Sequence, residues 1–146
     1  MFAGGAASSK PIKNQTELYP NATDVFKVLV DKIVSTKYEG WIHFDGPKKN
    51  AWVEVANEPD NLVLVFCYPF KTDINRTFQE TGVSIPGIWR LTKWSPKRLG
   101  GLLGGSVMLW VPRDQTAELI AFVDNLFVKF YGCGRDYKVS GYSENI

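Results

Sequence analysis

The chain is poor in the residues from which catalytic and metal sites are most often built: its 146 residues include one histidine and two cysteines. Cys67 and Cys133 lie in an apolar run and a glycine-rich turn, with no CxxC spacing and no histidine beside them, which argues against metal binding by these residues. Two cysteines fit a reducing compartment as well as they fit a disulfide, so two free thiols and a cytoplasmic setting are expected. Long apolar runs are also missing. The longest, Leu99 to Val111, contains four glycines and falls short of the roughly 20 residues a membrane helix needs. The first ten residues lack a charged stretch followed by a sustained apolar one and read as a tail rather than a secretory leader. The sequons at Asn14, Asn21 and Asn75 would matter only in a secreted chain, for which nothing in the sequence argues. Charge of one sign is lacking too: 17 Lys plus Arg against 15 Asp plus Glu leave +2, too little to imply a polyanionic partner unless cations cluster locally.

What is present favours one globular unit. Hydrophobic residues make up 45%, aromatic 14% and charged 22% of the chain, far from the composition of disordered chains. A single α+β domain over residues 21–142 is expected, with tails at 1–20 and 143–146. Asn21 or Thr23 can cap a helix to about Thr36, whose Phe26, Leu29, Val30 and Ile33 form one apolar face. Three strands are expected at Gly40–Phe44, Ala51–Ala56 and Leu62–Tyr68. The turn-rich linkers between them point to an antiparallel meander. The third is apolar on both pleat faces and should be interior. A short helix from Asp73 to about Glu80 stops at Gly82. Residues 83–106 read as irregular, with a short strand near Trp89–Lys93. A strand at Val107–Val111 then leads to Asp114, the expected cap of a long helix over Gln115–Tyr131 closed by Gly132. Tyr137–Tyr142 reads as a terminal edge strand or ordered tail.

The sharpest local cluster is Trp89, Arg90, Lys93, Trp94, Lys97 and Arg98, four cations and two indoles within ten residues. Such a mixture can stack bases and neutralise phosphates, and its bland counterpart is a solvated loop anchored by tryptophans. The run Leu99–Ser106 lacks the Gly-Lys-Ser/Thr ending of a phosphate loop, so a nucleotide site is rejected. Leu102 and Leu103 between glycines suggest a flap or wide turn. Catalysis by the one histidine, His43, would need an orienting partner. Glu54, the one charge inside the second strand, could pair across to it or to a Lys on the same face, and a wet outer face explains Glu54 more simply. No Gly-x-Ser-x-Gly motif or cofactor fingerprint occurs.

The order of helix, three-stranded meander, short helix, strand and long C-terminal helix resembles the type III secretion chaperone-like superfamily of peptide-binding chaperone domains. The resemblance is carried by Trp41-Ile42-His43-Phe44, Trp52-Val53-Glu54-Val55, the Thr81–Pro86 turn, Trp94 and the helix Ala117–Gly132. It implies an α+β domain without cofactors that dimerises and holds an extended partner segment against apolar grooves and sheet surface. The expected function is therefore a non-catalytic module for a protein or peptide partner, using Trp89, Trp94, Leu102, Leu103 and Trp110 with the flanking cations. The alternatives are a nucleic-acid-associated protein using Arg90, Lys93, Lys97, Arg98 and Trp94, and an enzyme or ligand carrier with a pocket near His43 and Glu54.

Overall fold

The computed structural model describes residues 17–19, 22–35, 40–95 and 105–144. The elements run β1 (Glu17–Tyr19), α1 (Ala22–Ser35), β2 (Trp41–Asp45), β3 (Trp52–Asn57), β4 (Leu62–Tyr68), α2 (Ile74–Thr81), β5 (Arg90–Ser95), β6 (Gly105–Val111), α3 (Thr116–Asn125) and β7 (Val139–Glu144). The expected α+β class holds, and the meander β2-β3-β4 lies within a larger antiparallel sheet of seven strands, ordered β1-β7-β2-β3-β4-β6-β5.

One pleat face of this sheet packs against the helices. In β2 and β3 the alternation is strict: Ile42, Phe44, Val53 and Val55 are buried, while Trp41, His43, Trp52 and Glu54 are half-buried on the other face. Phe26 of α1 meets Phe44 edge-on at 4.7 Å. Phe66 of β4 takes edge-to-face contacts from Phe78, Phe122 and Phe130, which draws α2 and the C-terminal helix onto the same face. As its composition requires, β4 is interior, paired with β3 on one side and β6 on the other.

The helix ends follow local chemistry. Asp73 caps α2 by accepting from the backbone N–H groups of Asn75 and Arg76, and Gly82 closes it at φ 74°. In the turn after β2, a Cβ on Gly46 would stand 2.8 Å from Phe127 Cε1, so only glycine lets the turn lie over that ring.

Several boundaries differ from expectation. Asp114 does not cap α3. The Gln115 N–H donates to the Pro112 carbonyl, so Asp114 sits inside a turn and the helix starts one residue later. The helix does not stay α to Tyr131 but widens into a π-helical turn at Leu126–Phe130, where the Tyr131 N–H donates to the Leu126 carbonyl. Among the described residues of 83–106 there is more strand than the glycines and prolines suggest, since β5 runs to Ser95 and β6 begins at Gly105. The strand expected at Tyr137–Tyr142 is β7, and it is not an edge: β2 pairs with one side of it and β1, from the stretch read as an N-terminal tail, with the other. A weakly alternating strand can be interior because backbone pairing does not depend on side chains. No disulfide joins Cys67 and Cys133, and no described helix is long and apolar enough to cross a membrane.

Candidate functional site: the uncovered sheet face

The pleat face opposite the helices is laid out by register. From β2 to β5, one row reads Trp41, Ala56, Val63, Trp110 and Arg90. The next reads His43, Glu54, Val65, Met108 and Lys93, and Tyr142 of β7 extends it beyond His43. Strands alternate their side chains between faces, so these residues share one surface. Val65 and Met108 are half-buried, and Trp110 is 40% exposed.

At the β2 end His43 is enclosed. Its Nδ1 lies 3.2 Å from Glu54 Oε1 and its Nε2 lies 3.1 Å from Asp45 Oδ1. Its ring stacks between Trp52 at 5.6 Å and Tyr142 at 4.8 Å. Burial disfavours the imidazolium, but hydrogen bonds and charge from Glu54 and Asp45 outweigh it, and the His43 pKa is raised. The same carboxylates, after burial, push the Tyr142 phenol up. The pair foreseen between His43 and Glu54 therefore forms, with Asp45 completing it. A general base needs one ring nitrogen turned towards a substrate, and here each nitrogen faces a carboxylate. The imidazole thus clasps Glu54 of β3 to Asp45 of β2.

The basic tryptophan cluster divides. Trp89 is 6% exposed and meets Phe122 edge-on at 5.1 Å. Trp94 is half-buried against Tyr68 at 5.7 Å. Both indoles thus anchor the segment inward, as the bland reading required, and their N–H groups are buried without an acceptor among the described residues. Arg90 and Lys93 are exposed on the open face, where the Arg90 guanidinium lies 4.1 Å over the Trp110 ring. Lys97, Arg98, Leu102 and Leu103 lie outside the described residues, as does most of the expected flap.

Sequence reasoning missed Trp41, Trp52, Val63, Val65, Met108 and Tyr142 as members of this surface. Strand phase carried part of the signal, because Trp52 shares a pleat face with Glu54 and Trp110 with Met108. The register that joins the strands is not readable from a single chain.

No protein-family model matches this chain, and neither a curated protein nor a solved structure matches it. The geometry must therefore carry the functional reading. A cleft of about 560 Å³ beside α2, lined by Asn75, Phe78, Gln79, Val83 and Ser84 among others, brings no ionisable side chain together. A shallower hollow of about 290 Å³ on α1 is formed by Asp24, Val25, Val28 and Leu29. Among the described residues no His, Cys, Asp or Glu cluster is arranged to hold a metal.

Proposed function

We propose that this chain is a non-catalytic binding module that recognises a protein or peptide partner on the uncovered face of its sheet. The observation that carries the reading is that Trp110 is exposed and Trp41, Trp52, Val65 and Met108 are half-buried on one pleat face that no described helix covers. A sheet buries its apolar face against another layer, and large aromatics with aliphatic neighbours are what interface centres use. The chaperone-like resemblance, if it extends to function, implies partner binding without a cofactor and a dimeric state. A cytoplasmic setting is part of the same reading.

Capture from native extract with Val65→Lys and Trp110→Ala variants, each checked for folding, tests the reading. A partner retained by the wild type and lost from both variants is the expected result. Retention by both would refute the assignment of the open face. Loss on Arg76→Ala instead, at an exposed α2 position, would move the site to the helical side.

A further inference from the structure

The open face is polar at both flanks and apolar between them, and the two flanks carry opposite charge. On the β3 side stand Glu54 and, one strand further out, Asp45, with side chains 37% and 51% exposed. The two carboxylates outnumber the single imidazole they face, so this flank is negative. On the β5 side stand Arg90 and Lys93, both exposed and neither in an ion pair among the described residues. Between them β4 and β6 supply a floor of Val65, Met108 and Trp110, with Val63 buried beside Trp110.

The dimensions of this trough suit one kind of occupant. β3 and β5 are three strand spacings apart in the sheet order, or about 14 Å at ~4.8 Å per strand. An α-helix with its side chains is roughly 10–12 Å across, so a helix lying along β4 and β6 fills the floor and brings its two flanks beside Glu54 and Lys93. An extended segment would cover about one strand of the floor and meet one flank only.

We infer that the open face takes an amphipathic helix of the partner whose apolar stripe is bordered by Lys or Arg on one side and by Asp or Glu on the other. This rests on the open face being the binding surface and specifies its ligand. A cation beside Glu54 and Asp45 offsets the negative charge of that flank, and one or two carboxylates satisfy Arg90 and Lys93. A helix basic on both flanks would meet Arg90 and Lys93 with like charge, and one acidic on both flanks would do the same at Glu54 and Asp45. The charge pattern thus excludes partners as well as admitting them.

Three synthetic helical peptides test this, each with the same leucine stripe, carrying Lys on one flank and Glu on the other, Lys on both, or Glu on both. Their binding to the full chain is read by fluorescence anisotropy at low salt. The mixed peptide is expected to bind about fivefold to tenfold tighter than either single-sign peptide, the size of a few exposed ion pairs. In the R90E/K93E variant, whose changes lie at exposed positions, the preference should pass to the peptide with Lys on both flanks. Equal binding of all three, an unchanged order in R90E/K93E, or binding of none would overturn the inference. If the three bind alike yet Val65→Lys abolishes binding, the open face remains the binding surface and only the charge-flanked helix fails. If Val65→Lys changes nothing while the peptides bind, the underlying reading fails as well.

Discussion

The two faces of the sheet use the same strands for opposite ends. On the covered face Leu62, Leu64, Phe66, Val107, Leu109 and Val111 are each fully buried, and their contacts are aromatic and aliphatic. On the open face the corresponding positions hold Val63, Val65, Met108 and Trp110 beside Glu54, Arg90 and Lys93. Burial decides the first set, where volume and shape are constrained. The second set departs from a purely solvated face by keeping large apolar groups among charges, which folding alone does not require. Changes on the covered face should therefore act on stability, and changes on the open face on binding.

The largest separation is expected at Phe66. Truncation to Ala removes three edge-to-face ring contacts and should cost about 3–5 kcal/mol in urea unfolding, with partner affinity unchanged under conditions where the variant is folded. Gly46→Val should follow: its side chain would enter the Phe127 ring, costing roughly 1–3 kcal/mol, visible as a lowered Tm. Trp110→Ala should reverse the pattern, with less than about 1 kcal/mol lost from stability and at least about tenfold from partner affinity.

The smallest effect expected is the pH dependence at His43. Its folded pKa is raised, so the stability contributed by the imidazolium is fully present below the unfolded value near 6.5 and is lost as pH rises through the folded pKa. His43→Gln should therefore destabilise the protein most below about pH 6.5, with the difference shrinking as pH rises through the folded His43 pKa. Because the chain has a single histidine, one imidazole resonance followed by NMR titration reports the raised value directly. A midpoint below 6.5 would contradict the clasp.

Much of the fold is legible in the sequence because its signals are local. Phe26, Val30 and Ile33 mark α1 by their spacing, Asp73 and Gly82 bracket α2, and the doubly apolar run from Leu62 marks an interior strand. The failures are non-local. The interior position of β7 depends on β1, whose three residues carry too short a pattern to announce a strand. The switch from α to π at Leu126 is not encoded by periodicity. For the site, the link between His43 and Glu54 could be foreseen from their neighbouring strands, whereas the sorting of the tryptophans could not. Both an inward anchor and a surface role are open to Trp89 and Trp94 from the sequence, and the packing against Phe122 and Tyr68 decides for the first.

That sorting gives the most direct measurement. The chain has five tryptophans, and their indole N–H resonances divide into Trp41, Trp52 and Trp110 on the open face and Trp89 and Trp94 on the inward side. In an NMR titration with the captured partner, the first three signals should shift or broaden while the other two hold their positions. Movement of Trp89 and Trp94 with Trp41, Trp52 and Trp110 unperturbed would contradict recognition through the uncovered face.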